Sequence, residues 1–263
     1  MPKLAVALLF LFVTINVQAQ TWEVGGGVGA AGYIGDLNTH NLVKPSGASG
    51  SVFVKRNLNG YLGVKLNYAM AQIGADDSKS NNQQFRNRNL SFTDPLKELS
   101  LQAEFNFMKF IPDAGKNKYT PYIYVGAGLT SFNPRTEFNG RLIYLRWLRT
   151  EGQEKEYSKY AIVIPYGAGI KYNISGKWTI GADIGYRYTN TDFLDDVSGV
   201  YAEKSKLPYG PSTFLADRSG ELTGVNIGTP GSQRGDARPK DIYVFAGFTI
   251  SYTFVTQRCY FEQ

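Results

Sequence analysis

The chain has 263 residues, with 28 lysines and arginines, 22 aspartates and glutamates, one cysteine and one histidine. A single cysteine excludes an internal disulfide framework. The net charge of +6 comes without the clustered basic and aromatic residues of a nucleic-acid-binding surface. The 29 glycines, 18 tyrosines and 16 phenylalanines, at a mean hydropathy of −0.26, are typical of a transmembrane β-barrel, because only every second residue of its strands faces lipid.

The N-terminus predicts a secretory signal peptide. Lys3 precedes the apolar run Leu4–Val17, which is too short to span a bilayer, and the residues up to Ala19 suit a signal peptidase. We expect cleavage after Ala19, which divides the chain into a signal peptide over residues 1–19 and one β-barrel domain over residues 20–263. No cysteine follows the cleavage point directly, which argues against a lipoprotein.

The stretch GVGAAG at residues 27–32 matches the glycine fingerprint of dinucleotide-binding folds. That fingerprint needs a preceding strand, a helix that begins within it and an acid about twenty residues later. Here YIGD at residues 33–36 indicates a turn, and VFVK at residues 52–55 stands where the acid belongs. We therefore interpret the glycines as inward-facing positions of a barrel wall, where they leave room for large side chains of neighbouring strands.

Apolar residues alternate with polar residues or glycine in eight segments, the period of a β-strand with two different faces. The predicted strands are Trp22–Tyr33, Gly47–Arg56, Tyr61–Ile73, Glu98–Phe110, Thr120–Phe132, Ser158–Tyr172, Trp178–Asn190 and Asp241–Phe254. The second segment has no clear outward face. Pro165 predicts a β-bulge in the sixth, because proline cannot donate to the ladder. The fold class predicted is all-β, an eight-stranded antiparallel transmembrane β-barrel.

The connections between these strands are alternately long and short. Outer-membrane barrels have short periplasmic turns and long extracellular loops, so the alternation predicts a cell outer membrane protein with both chain ends in the periplasm. The residues reachable from the periplasm are then Asn57–Gly60, Pro112–Lys118, Ser175–Lys177 and Val255–Gln263. The fourth outer loop, Thr191–Lys240, is long enough to plug the barrel from above.

The main charged residues predicted to face the lumen are Glu23, Lys65, Glu98, Glu104, Lys171, Asp183 and Arg187. Four acids against three bases are nearly neutral together, as a buried network should be. A barrel of eight strands has an interior that its own side chains fill. We therefore interpret these residues as an ion-pair network, in preference to a pore lining or a catalytic pair.

The loops give no strong sign of catalysis, a cofactor or a metal. His40, the only histidine, lies in the first outer loop without the sequence context of a nucleophile. Asp36, Asp192, Asp195 and Asp196 offer the oxygen ligands that calcium takes. Their spacing is not that of an EF-hand, and we expect these side chains to bond the loop backbone instead.

Cys259 lies past the last predicted strand, on the periplasmic side of the predicted topology. The periplasm is an oxidising compartment. A single cysteine there has no partner within the chain, so it is either a free thiol or one half of a bridge to another protein.

Six stretches spread over nearly all of the mature chain are distinctive for a barrel of this size. They are GYIGDLN at residues 32–38, TPYIYVGAGLTSFNP at 120–134, LRTEGQ at 148–153, IPYGAGIKYNISGKWTIGADIGYRYTNTDFLDDVSGVY at 164–201, LADRSGEL at 215–222 and RGDARPKDIYVFAG at 234–247. Together they resemble the PorG family, the small outer-membrane barrel of the type IX protein secretion system. The TEGQ and LDDVS stretches are the most specific parts of this resemblance.

The resemblance implies a protein that is not an enzyme and that uses no cofactor. It implies an anchor that ties a periplasmic ring, made by a lipoprotein and its partner, to the outer membrane. Partner contacts are then expected at the periplasmic end, at Asn59, Lys116, Lys177 and Cys259, with a disulfide from Cys259 as one form of contact. The alternative is a stand-alone small outer-membrane barrel that forms a narrow pore or modifies lipids.

Overall fold

The computed structural model describes residues 21–39, 44–113, 116–208, 210–236 and 238–254. The predicted signal peptide at residues 1–19, His40 and Cys259 lie outside these residues, so the interpretations of them stay predictions. Within the described ranges, no helix is long and apolar enough to cross a membrane.

Eight strands close into an up-and-down antiparallel barrel, which confirms the predicted fold class. Each wall strand pairs with its neighbours in the chain, and the last strand pairs with the first. Two further strands form a hairpin, β6–β7, in the third outer connection. In chain order the strands are β1 (Thr21–Ile34), β2 (Pro45–Asn57), β3 (Leu62–Asp76), β4 (Ser91–Asn106), β5 (Tyr119–Ser131), β6 (Arg135–Phe138), β7 (Arg141–Tyr144), β8 (Tyr160–Ser175), β9 (Trp178–Thr189) and β10 (Ile242–Phe254).

The outer wall of the barrel carries a belt of exposed apolar side chains. Val28 on β1 and Phe248 opposite it on β10 are 73% and 72% exposed. Exposed aromatic residues gather towards the short-turn end of the wall, namely Trp22, Tyr61, Phe105, Phe107, Tyr119, Tyr172, Trp178 and Phe254. An apolar band bordered by aromatic side chains is the surface that a transmembrane barrel presents to lipid. The predicted alternation of faces is therefore confirmed.

The connections fall at the two ends of the barrel as predicted. Residues 58–61, 107–118 and 176–177 join strands at one end, and residues 35–44, 77–90, 132–159 and 190–241 join them at the other.

The prediction of β4 was wrong at both ends, because the strand spans Ser91–Asn106 and not Glu98–Phe110. In its first part Phe92 and Leu96 point inward and are buried, while the residues between them are polar or proline. The apolar-out pattern of a lipid-facing strand is therefore reversed there.

Pro165 lies in β8 without the predicted bulge. The register with β5 is the same on both sides of it, and the pairing with β9 continues through it. The missing N–H of proline interrupts the β5–β8 ladder but inserts no extra residue. The register shifts that the structure shows lie between Ala31 and Gly32, in the β1–β2 pair, and between Asn173 and Ser175, in the β8–β9 pair.

The β6–β7 hairpin is an element that the strand pattern does not predict. It turns at Asn139-Gly140, which have φ angles of 51° and 71°, and this residue pair favours the type I′ turn of a two-residue hairpin. Short helices in the outer connections are α1 (Gln83–Arg88), α2 (Pro211–Ala216) and α3 (Gly220–Thr223).

Candidate functional site

Charged side chains in contact with one another fill the lumen, as predicted. Lys55 Nζ lies 2.7 Å from Glu23 Oε2 and 3.2 Å from Glu104 Oε1, and Lys171 Nζ lies 2.5 Å from the same Glu104 oxygen. All four side chains are buried. Lys55 is missing from the prediction, because its strand showed no clear face. When Lys55 is included, the lumen holds four acids and four bases, so the charges of the network cancel within the protein.

Aromatic rings hold the other lumen charges. Arg187 Nε lies 3.4 Å from Glu98 Oε2, and its guanidinium carbon lies 4.3 Å from the centre of the Phe245 ring. Lys65 Nζ lies 5.0 Å from the centre of the Tyr124 ring. These distances allow cation–π attraction, which is stronger where water is excluded.

Inward glycines admit the lumen rings, as interpreted from the sequence. A Cβ on Gly185 would collide with the Tyr124 hydroxyl group, and one on Gly169 would lie 2.8 Å from Tyr122 Cε1. The Tyr122 hydroxyl group donates to Asp183 Oδ2 at 3.0 Å. A cavity of about 50 Å³ lies in the lumen beside these groups, which is room for only a few water molecules. The protein's own side chains therefore plug the lumen.

Phe110 closes the barrel at the short-turn end. Its side chain is buried, and Lys171 Nζ lies 5.4 Å from its ring centre. The Phe110 N–H donates to the Gly60 carbonyl oxygen at 2.9 Å, which joins the first and second short connections. The Asn173 N–H donates to the Lys118 carbonyl oxygen at 2.7 Å, which joins the second connection to β8. The short connections thus pack together below the lumen.

Three of the four predicted contact residues lie at this end. Asn59 Oδ1 accepts two backbone N–H groups that follow it, each at 2.8 Å, so Asn59 shapes the first turn. Lys116 is exposed in the second connection. Lys177 in the third lies with its Nζ 5.8 Å from the centre of an aromatic ring of β10. Because Cys259 lies outside the described residues and no partner is present, all four contacts stay predictions.

At the opposite end, the long connections pack into a cap over the barrel mouth. Wall residues such as Tyr33 and Phe92 share one buried core with Leu194, Val197 and Leu215 of the fourth connection. The fourth connection therefore closes the mouth, which is the role considered for it from its length.

The TEGQ stretch (residues 150–153) and the LDDVS stretch (residues 194–198), the most specific parts of the family resemblance, contact each other in this cap. Thr150 Oγ1 donates to Asp196 Oδ2 at 2.6 Å, and Glu151 Oε1 accepts the Ser198 N–H at 3.0 Å. Arg234 Nη1 donates to both stretches, to Glu151 Oε1 at 2.9 Å and to the Asp196 carbonyl oxygen at 2.8 Å. Burial raises the pKa of Asp196 to about 6, although Arg234 and two hydroxyl donors act against this.

Three acids converge elsewhere in the cap. Asp36, Asp192 and Asp241 each have a carboxylate oxygen within 4.8 Å of the other two. The grouping differs from the one considered from the sequence, because Asp241 takes the place of Asp195 and Asp196. Asp195 Oδ1 instead accepts the N–H two residues later at 2.9 Å, the expected loop-shaping bond.

The three acids of this cluster have no ion-pair partner among the residues that the structure describes, because none of them pairs with a lysine or an arginine there. The Arg88 guanidinium binds Asp77 and the Asp36 carbonyl oxygen instead. Burial raises the pKa of Asp36 to about 7 and that of Asp192 to about 6. It also raises the pKa of Asp241 well above its usual range.

Comparison with known proteins gives a family and a set of similar folds. No curated protein matches the chain. Neisserial surface protein A is 11% identical, with 90% of this chain and 100% of that chain covered and a TM-score of 0.45. A major outer membrane protein from Thermus thermophilus is 13% identical, with 90% and 100% covered and a TM-score of 0.45. OprG from Pseudomonas aeruginosa is 12% identical, with 91% and 98% covered and a TM-score of 0.40.

These likenesses are too distant to carry an argument about function. The family model described as "Domain of unknown function (DUF6089)" matches residues 2–212, which is most of the chain. The chain therefore belongs to the DUF6089 family.

Proposed function

We propose that this protein is an outer-membrane β-barrel that anchors a periplasmic ring of the type IX secretion machinery. The observation that carries the proposal is a barrel closed at both ends around a filled lumen. Such a barrel acts through its surfaces, because its interior, as far as the structure describes it, offers neither a path for solutes nor room for a substrate.

The outer wall supports a place in a bilayer. Its apolar belt and aromatic border would be unfavourable in water and match the lipid-facing wall of outer-membrane barrels. The predicted signal peptide supports export, and exported bacterial barrels of this kind reside in the outer membrane.

The filled lumen argues against the pore alternative. Conduction would require breaking buried ion pairs such as Lys55–Glu23 and moving Phe110, and breaking one buried pair alone typically costs about 3–5 kcal/mol. The short-turn end then becomes the surface of interest, with Asn59, Lys116 and Lys177 as its predicted contacts. The resemblance to the PorG family names the ring as the partner.

Purification of the tagged protein in mild detergent tests the anchor. We expect periplasmic ring proteins to co-purify, and we expect the purified barrel to give no conductance in planar bilayers. An unrelated eight-stranded barrel with the same tag is the control for nonspecific capture. Steady conductance, or lipid modification, by a protein that binds no periplasmic component would favour the stand-alone barrel instead.

Cys259 offers a second test of the same partner. It is the fifth residue after Phe254, the last residue of β10. An extended chain covers at most ~3.3–3.6 Å per residue, so the thiol stays within about 16–18 Å of the strand end. A lipid-anchored partner is confined to the same layer, which raises its effective concentration.

With thiols blocked at lysis, we expect non-reducing gels of whole membranes to show a slower band that reductant removes and that Cys259→Ser lacks. A monomer alone on these gels would exclude the disulfide and leave noncovalent contacts as the basis of the anchor.

A further inference from the structure

The acid cluster of Asp36, Asp192 and Asp241 brings together three distant parts of the chain. Asp36 follows β1, Asp192 follows β9 and Asp241 precedes β10. Their oxygens lie within 4.8 Å of one another. Two oxygens bound to one calcium ion are separated by at most about 4.6–5.2 Å, twice the usual calcium–oxygen distance. The spacing therefore suits three ligands of one shared ion.

Two oxygens of the cluster have no hydrogen-bond donor among the described residues. Asp36 as a whole residue is 1% exposed. No described residue donates to its Oδ2, while its Oδ1 accepts the Asp236 N–H at 2.5 Å. Asp192 Oδ1 likewise has no donor among the described residues, while its Oδ2 accepts a hydrogen bond from the Ser198 hydroxyl group at 2.8 Å. A buried carboxylate oxygen without a donor is costly, and a bound cation removes that cost.

Groups outside the cluster fix the third acid. The Leu194 N–H donates to Asp241 Oδ2 at 2.9 Å, and the Tyr33 hydroxyl oxygen lies 3.1 Å from Asp241 Oδ1. The same hydroxyl oxygen lies 2.5 Å from Asp195 Oδ2, and its single proton serves one of the two carboxylates at a time. Hydrogen bonds of this kind orient the ligands of metal sites.

We propose that Asp36, Asp192 and Asp241 bind a divalent cation of the calcium class, which ties the first outer connection to both ends of the fourth. Three carboxylates that form no ion pair with any described lysine or arginine supply the charge. Oxygen ligands select hard cations such as calcium or magnesium over zinc or copper. The inference concerns the cap alone and does not rest on the proposed role in secretion.

Cation binding to the full-length protein in detergent, stripped with EGTA, is the test. Calcium is titrated by calorimetry and terbium by luminescence, for which Tyr33 beside Asp241 is a nearby sensitiser. We expect one saturable calcium site with a Kd on the order of 0.1–1 mM, the range of extracellular calcium modules. We also expect a higher midpoint of thermal unfolding in calcium than in EGTA.

Matched variants locate the site. Asp36→Asn keeps the side-chain shape and should weaken calcium binding at least about tenfold, the scale of lost ligand interactions. Asp217→Asn, another cap acid that bonds only within its own connection, should bind as the wild type does. If Asp36→Asn does not fold, Asp192→Asn at a less buried position makes the same comparison.

Absence of saturable binding to the folded wild type overturns the proposal, and so does equal binding by the wild type and a folded cluster variant. Magnesium binding as tight as calcium binding supports the same site and assigns it to divalent cations in general.

Discussion

Replacing Lys55 with methionine tests whether the lumen network stabilises the barrel as a buried unit. Lys55 Nζ lies 2.7 Å from Glu23 Oε2 and 3.2 Å from Glu104 Oε1, and its side chain is 2% exposed. After the change, Glu104 keeps Lys171 at 2.5 Å, whereas Glu23 loses its nearest cation and keeps two neutral side-chain donors. Removing one partner of a buried pair costs about 3–5 kcal/mol, and we expect about 3 kcal/mol because Glu104 stays paired.

Urea unfolding in lipid vesicles, followed by tryptophan fluorescence, measures this loss in the free energy of unfolding. Lys97→Met, on the exposed face of β4, is the control and should change it by less than about 0.5 kcal/mol. The double variant Lys55→Met/Glu23→Gln should recover part of the loss, because no unpaired charge is left on residue 23. A loss below about 1 kcal/mol in the single variant, or no recovery in the double one, would refute the interpretation of these lumen charges as a buried ion-pair network.

Three further predictions concern the wall and the cap. Ala182→Arg places a charge on the lipid face of β9 at a cost of about 2–4 kcal/mol. It should reduce the heat-modifiable band of folded protein on gels. Folding at the wild-type level would show that residue 182 does not face lipid. Gly29→Ala sets its Cβ against the Ala246 carbonyl oxygen and should lower the urea midpoint of unfolding. Gly26→Ala, whose Cβ points to lipid, is the control and should leave the midpoint unchanged. Equal effects of the two changes would contradict the close approach of β1 and β10 at Gly29. The pKa of Asp196 is raised to about 6, above its unfolded value, so its stabilising contribution is complete below about pH 4 and is lost as the pH rises through 6. Asp196→Asn should therefore reduce the difference in unfolding free energy between pH 5 and pH 8 by about 1 kcal/mol, and an unchanged profile in urea titrations would exclude the raised pKa.

The sequence predicts wall strands well where one face meets lipid and the other meets the lumen. The predicted bounds of β9 and β10 each differ from the observed ones by a single residue. The same pattern fails at the start of β4, because Phe92 and Leu96 face the core of the cap there and the outer face is polar. The alternation of apolar and polar residues depends on what each face of a strand contacts. In the wall the outer face meets lipid, whereas at the start of β4 the inner face meets the apolar core of the cap, so the pattern is reversed there.

Lys55 was missed because the pattern of its strand does not show which face points inward. Much of β2 consists of glycine, serine and alanine, which leave its two faces alike. With Lys55 the lumen holds four acids and four bases, so exact charge balance is the signal that could have assigned this residue to the lumen. Asn139-Gly140 likewise marks the β6–β7 turn by its type I′ preference.

The acid cluster of the cap was beyond the reach of sequence patterns. Asp241 stands at the predicted start of a wall strand, and Asp36 and Asp192 lie in two different connections. Their meeting depends on how long connections fold over the barrel mouth, and no periodicity encodes that path. Acid spacing along the chain therefore grouped Asp195 and Asp196 with Asp36 and Asp192. In the structure Asp196 accepts the Thr150 hydroxyl group, and Asp195 accepts a loop N–H and touches the cluster through the hydroxyl group of Tyr33.

The β6–β7 hairpin gives this protein a natural attachment point for foreign peptides. Thr93–Arg135 is the residue pair through which β6 joins the wall ladder, and Asn139 and Gly140 at the tip are exposed, with open space around Gly140. A peptide inserted between them lengthens the ribbon away from the lumen, the core of the cap and the acid cluster. An epitope or a fluorescent tag carried there leaves the barrel's closed interior untouched, and an antibody against it reports which side of the membrane the cap faces in living cells.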